Sequence, residues 1–122
     1  YHSRDNSRYE KALSMADDLG CNIIRCWGGN VYEDHDFFNY CDEHGILVWQ
    51  DFAMACHQYP QHSKFMVKLE KEAEWVVKEL RDHPSLALWC GDNEIDSMVA
   101  GKKFNPDSNR LTREVLPRVI DR

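Results

Sequence analysis

The chain has 122 residues and a formal net charge of −6, from 15 Lys and Arg against 21 Asp and Glu. That length suits one domain, and 43% apolar residues is enough for a core. An acidic balance with no basic stretch argues against nucleic acid or an anionic membrane as partner. No run of about 18 apolar residues is present, so no membrane-spanning helix is expected. The opening YHSRDNSRYEK lacks the apolar stretch of a signal peptide, and without an initiator Met the chain reads as an excised or mature piece.

The five cysteines are Cys21, Cys26, Cys41, Cys56 and Cys90. An odd count with no C-x-x-C pair fits neither a zinc site nor a disulfide framework. Buried free thiols acting as small hydrophobes are the expectation. His57 and His62 lie near Cys56 but lack a third spaced ligand, so the strand-to-helix loop is expected to hold no metal. No cofactor is implied.

Tyr9, Ala12, Leu13, Ala16 and Leu19 recur at three- and four-residue steps, which predicts a helix from about Asp5 to Leu19 with one apolar face. Gly20 supplies the left-handed residue that ends it. Cys21 to Trp27 is short, apolar and β-branched, and reads as a strand buried on both faces, broken by Gly28-Gly29. Asp34 or Asp36 caps a second helix to His44, with Phe37, Phe38 and Cys41 inward and Gly45 repeating the role of Gly20. Ile46 to Phe52 is a second buried strand ending in the polar pair Gln50-Asp51. In the third helix Phe65, Leu69, Ala73, Val76, Val77 and Leu80 form the stripe, and Pro84 forbids its continuation. Ser85 to Cys90 is a third strand, followed by Gly91-Asp92-Asn93-Glu94. A last helix starts near Ser108, with Pro117 expected to kink or stop it.

Such alternation means α/β architecture: parallel strands joined by right-handed helical crossovers. A small doubly wound sheet and an arc of a closed barrel both fit. A complete (β/α)8 barrel needs about 250 residues and eight strands, so three strands hold less than half of one. In either case chemistry belongs past the carboxyl ends of the strands. The first strand delivers Arg25, Trp27 and the Gly-Gly turn there; the second delivers Trp49, Gln50 and Asp51; the third delivers Trp89, Asp92, Asn93 and Glu94. Tryptophan at all three ends offers flat surface of the kind that stacks on a sugar ring, or else fills the barrel wall.

Three ordered blocks, NIIRCWGGNVYED, ILVWQDF and SLALWCGDNE, resemble successive strand ends of the β-mannosidases in glycoside hydrolase family 2. The likeness runs from about residue 7 to 95 and extends to Leu116-Pro117 in the helix before strand five. It implies a partial (β/α)8 TIM barrel, about strands 2–4 with flanking helices, in which residues 1–122 are the N-terminal half of a catalytic domain. It implies that Glu94 is the general acid/base and Asn93 the amide that bonds the sugar 2-hydroxyl. It further makes Trp27 a wall of the terminal-sugar pocket, Arg25 an organiser of the active-site carboxylates, and Asp51 a rim carboxylate, all four counted as substrate-binding. The partner nucleophile would lie on strand seven, outside this chain. Asp92 departs from the common WCGNNE form, and a second carboxylate there would raise the Glu94 pKa by repulsion.

The chemistry explains these residue types. A retaining glycosidase sets two carboxyls about 5–5.5 Å apart around the glycosidic bond; one protonates the leaving oxygen and the other attacks the anomeric carbon. The acid must keep its proton near neutral pH, which burial or a negative neighbour supports. The implied function is part of a retaining exo-β-glycosidase, most of all β-mannosidase, acting on an oligosaccharide and inactive as the chain alone. Related activities of the family, β-galactosidase, β-glucuronidase or exo-glucosaminidase, stay open, as does a non-catalytic α/β binding module. Residue by residue, Glu94 could instead bind helix N-terminal amides, Arg25 could be a structural ion pair, and Asp51 a cap or strand-end acceptor. An incomplete wall would also leave unpaired edges and an uncovered inner face, so self-association is expected.

Overall fold

The computed structural model describes residues 7–96 and 105–122; the expected helix start at Asp5 lies outside them. The expected elements appear in order as α1 (Ser7–Asp18), β1 (Ile23–Cys26), α2 (His35–His44), β2 (Leu47–Asp51), α3 (Ser63–Leu80) and β3 (Leu86–Cys90). The strands form one parallel sheet in the order β1-β2-β3. This unreversed order, with a helix at every crossover, is that of a barrel wall and also of one half of a doubly wound sheet, which reverses only at its switch point.

The ends of α2 show how local sequence sets the layers. Asp34 accepts hydrogen bonds from the backbone N–H of Asp36 and Phe37, and Gly45 closes the helix at φ 68°, where a Cβ would be strained. Between these caps Phe37, Phe38 and Cys41 are buried as the spacing predicts. His62 caps α3, its Nδ1 accepting from Phe65 N at 3.2 Å, which assigns this histidine a structural task. Leu69, Ala73, Val76 and Leu80 carry the buried stripe of α3. Asp42 near the end of α2 accepts from Ser85 N at 2.8 Å and lies 2.7 Å from His83 Nδ1, which ties α2 to the start of β3.

The strands differ from the expectation of burial on both faces. One face, with Val48, Gln50 and Cys26, is packed under the helices. The other carries Ile23, Leu47 and Leu88, which are 45%, 45% and 40% exposed, together with Arg25 and Trp49 in cross-strand register. A barrel strand's second face is covered only by the opposite wall, which these three strands do not include. A bulge in β3 keeps the pattern in phase: Val48 pairs with Leu86 but Trp49 with Leu88, so Ala87 is the extra residue. β1 is an edge of the sheet, and the stripe of α1 runs past it. Tyr9 and Leu13 are buried, while Leu19 stays exposed.

The single kinked helix expected at the end is instead three pieces. A 3-10 turn (Pro106–Ser108) precedes a π-helical turn (Leu111–Val115) and then α4 (Leu116–Ile120), with Pro117 in its first turn. Proline has no N–H and its ring crowds the carbonyl four residues back; the wider turn ahead of it removes that crowding. The cysteine expectation is also corrected. All five are free, and Cys26 and Cys41 are buried, which pushes their thiols up to about 12 and about 11. Cys21 and Cys56, however, are exposed.

Candidate active site

Four of the residues singled out from the sequence meet at the carboxyl ends of the strands, and the centre of their cluster is Asp51. Its Oδ1 accepts from Arg25 Nε at 3.2 Å and Trp49 Nε1 at 2.8 Å. Its Oδ2 accepts from Arg25 Nη2 at 2.7 Å and Gly28 N at 3.0 Å. The Asp51 side chain is 0% exposed, and both of its oxygens are taken up by Arg25, Trp49 and the Gly28 turn. A buried carboxylate costs many kcal/mol unless paired and hydrogen-bonded; four donors meet that requirement.

Arg25 lies on the uncovered face of β1, its guanidinium carbon 4.9 Å from the centre of the Trp49 ring. Its Nη2 also donates to Asn93 Oδ1 at 2.9 Å. The bond to Asp51 holds the guanidinium above its ordinary pKa, and the charge of Glu94 acts on it in the same direction. Arg25 thus joins all three strand ends.

Asn93 and Glu94 follow β3, and the segment after β2 runs beside them. Asn93 N donates to Met54 O at 3.0 Å and Cys56 N to Asn93 O at 2.9 Å, forming a parallel bridge between Ala55 and Asn93. Glu94 is exposed with φ 58°, a left-handed backbone uncommon for a residue with a Cβ. The cap of the following turn is Asp92, whose Oδ1 accepts from Ile95 N at 3.3 Å. Asp92 thus caps this turn, with the exposed Glu94 two residues after it.

Asp92 is turned toward the later chain. Its Oδ2 accepts from Asn109 Nδ2 at 3.4 Å, and Asn109, 1% exposed, also donates to Asp96 at 3.0 Å. Burial pushes the Asp92 carboxyl above the ordinary aspartate range, and the Asp96 charge adds to it. The neighbouring carboxylate that acts on Asp92 is Asp96. A folded-state value above the unfolded one means that stability falls as pH rises through that window and that the full cost is present at pH 7. Asp92→Asn keeps an oxygen for Ile95 N and removes the buried charge. Its unfolding midpoint in denaturant is expected to exceed that of the parent at pH 7, with the gain shrinking toward about pH 4. A lower midpoint at pH 7 would overturn this.

Trp27 stands at the same rim, 44% exposed. Its ring lies over Gly29, where a Cβ would sit 2.1 Å from the indole, and a Cβ on Gly28 would sit 2.5 Å from Met54 O. The Gly-Gly pair therefore allows both the close backbone approach and the placement of the indole. Trp49 is on the same face. Trp89 is not: it stacks on Phe52 at 5.0 Å between ring centres, in register with the buried Gln50, and is packing for the wall. Of the three tryptophans offered for stacking, two remain.

Sequence reading missed three supports of the rim. Tyr32 and Tyr59 hydroxyls accept from Ala53 N at 2.9 Å and Ala55 N at 3.1 Å, and Asn109 joins the loops after β2 and β3 through Gln61 and Asp92. Tyr59 reaches back only four residues, but the partners of Tyr32 and Asn109 are brought by the fold and no short-range pattern marks them. Among the described residues no group of three His, Cys, Asp or Glu is placed to hold a metal ion.

Three parallel strands with helical crossovers, and a polar constellation at their carboxyl ends, fit an arc of a (β/α)8 barrel. No family model matches the chain. Individual relatives do. β-Mannosidase B of Emericella nidulans is 49% identical over 87 residues, 71% of this chain and 10% of that protein. The crystal structure of a β-D-mannosidase from Dictyoglomus thermophilum superimposes with TM-score 0.88 at 40% identity, over 94% of this chain and 15% of that one. A β-glucuronidase from Bacteroides uniformis, TM-score 0.79 at 19% identity over 94% of this chain, shares the fold. The chain matches a fragment of β-mannosidases of glycoside hydrolase family 2, at 36–49% identity over a stretch of their barrel. It spans about a tenth of the length of the β-mannosidase from Emericella nidulans.

Proposed function

We propose that this chain is the N-terminal half of the catalytic barrel of a retaining exo-β-glycosidase that removes terminal β-linked mannose from oligosaccharides. Glu94 is its general acid/base. Asn93, held through Oδ1 by Arg25, offers its amide N–H to the sugar 2-hydroxyl, a bond that strengthens as oxocarbenium character develops. Arg25 orders the carboxylates, Trp27 and Trp49 form apolar walls, and Asp51 holds Arg25 in place. The nucleophile comes from a later strand, so the 122 residues alone supply one of the two carboxyls.

The observation that carries this reading is the single network Asp51–Arg25–Asn93, ending next to the exposed Glu94 at the strand ends. Such a network costs desolvation of a carboxylate, and a wall built only for stability gains nothing by ending it on an open rim. The relatives named β-mannosidase support the choice of sugar.

The test is a panel of aryl β-glycosides. The full-length enzyme is expected to turn over the β-mannoside with kcat/KM well above the β-galactoside and β-glucuronide. The 122-residue chain alone is expected to show no turnover and to elute as an oligomer that covers Ile23, Leu47 and Leu88. Preference for another sugar removes the mannosidase assignment; turnover by the chain alone removes the missing-nucleophile reading.

A further inference from the structure

Cys56 has no role in the function proposed above, yet it touches both residues on which that function depends. Its Sγ accepts from Asn93 Nδ2 at 3.4 Å and donates toward Glu94 Oε2 at 3.7 Å. Its backbone N–H bonds to Asn93 O, and the residue before it bridges to Asn93. Cys56 has φ 50° and Glu94 φ 58°, and these are the two non-glycine residues at positive φ among those described. Left-handed backbone at a residue with a Cβ persists only where surrounding contacts determine it, and it gathers at functional sites. Here two such turns face each other across one bridge, with a sulfur between the two side chains.

We propose that Cys56 is a positioning residue, its sulfur setting the orientation of the Asn93 amide and the Glu94 carboxyl together. Arg25 takes Asn93 Oδ1 and Cys56 takes one hydrogen of Nδ2, so the amide is fixed from both ends and cannot flip. The second Nδ2 hydrogen is left for a ligand hydroxyl. On the carboxyl side, the thiol contacts Oε2 and limits rotation of a side chain that is otherwise exposed. Long sulfur bonds suit the span of 3.4 to 3.7 Å, which is too wide for a hydroxyl bond. The residue acts through Glu94 and Asn93 and takes no part in bond making itself.

This inference rests on the acid/base reading of Glu94, and the experiment separates the two. In the full-length enzyme, Cys56→Gly removes the sulfur while relaxing the left-handed backbone, and Cys56→Ala removes the sulfur alone. Both are expected to lose about tenfold in kcat on a substrate with a poor leaving group, since small misplacement of a catalytic group has effects of at least that size. KM should change far less. The glycine variant should unfold at no lower temperature than the parent, because glycine adopts positive φ freely, so its loss cannot be ascribed to folding. In a Glu94→Gln background the same substitutions are expected to cost less than about threefold, the coupling of residues that act as a unit. Full activity of Cys56→Gly, or an undiminished loss of about tenfold when it is combined with Glu94→Gln, overturns the positioning role. If Glu94→Gln itself spares the poor substrate, the acid/base reading fails first.

Discussion

Glu94→Gln in the full-length enzyme is expected to lower kcat/KM for substrates with poor leaving groups by about a thousandfold, within the usual range for removing a general acid. Glutamine keeps the volume and a hydrogen-bonding tip, so the Arg25–Asp51–Asn93 network and the binding of sugar should survive. What it cannot do is deliver a proton to the departing oxygen. An alkyl or sugar leaving group needs that proton, whereas an activated aryl leaving group departs nearly unaided. The first step with an activated substrate should therefore suffer much less, and the covalent intermediate should persist because the same residue later activates water. Rates measured across a series of leaving-group pKa values give the test. The variant's kcat/KM should fall steeply with leaving-group pKa where the parent's is nearly flat. Equal losses on good and poor leaving groups would remove Glu94 from the acid role.

Asp51→Ala is expected to have the largest effect on stability. The substitution leaves Trp49 Nε1, Gly28 N and Arg25 without their common acceptor in a place no water reaches from the Asp51 side. Removing one partner of a buried, hydrogen-bonded pair costs about 3 kcal/mol or more, and the half-exposed guanidinium recovers part of this by hydration. The denaturation midpoint should drop accordingly. Activity should fall further than stability accounts for, because Arg25, released from Asp51, no longer directs Asn93. Asp51→Asn retains shape and two acceptor sites in place of four, and an intermediate result is expected. An Asp51→Ala protein with the parent's midpoint would show that the network contributes nothing to the fold.

The elements were legible in the sequence because each is encoded at short range. The stripes of α2 and α3, the cap at Asp34 and the stop at Gly45 are properties of three- and four-residue neighbours, and a helix closes its own hydrogen bonds within that distance. The strand ends could likewise be found, since an apolar run followed by polar residues marks where a strand leaves its sheet. Less legible was which strand face would be covered. Alternation in β1, β2 and β3 is weak because both faces of a barrel strand are apolar, so Leu88 and Trp89 look equivalent on paper and only pairing with Trp49 and Gln50 separates them. The last segment misled for a different reason: Pro117 announces a break but not how the preceding turn widens to absorb it.

At the rim, the residue types were readable and their partnerships were not. Arg25, Asp51, Asn93 and Glu94 were recognisable as candidates from three short blocks. That Asp51 would be wholly enclosed, that Asp92 would turn to Asn109, and that Cys56 would touch Asn93 and Glu94 depends on contacts between residues 17 to 38 positions apart. The amino-acid order by itself determined the first three helices, the strands, their sequence along the chain and the family they resemble, because local propensity and three ordered blocks suffice for those. Tertiary structure alone decided which side chains share a carboxylate and which face meets solvent. Hydrogen-bond partners and burial are properties of approach in space, and a linear pattern carries no record of that until the crossovers bring the strand ends side by side.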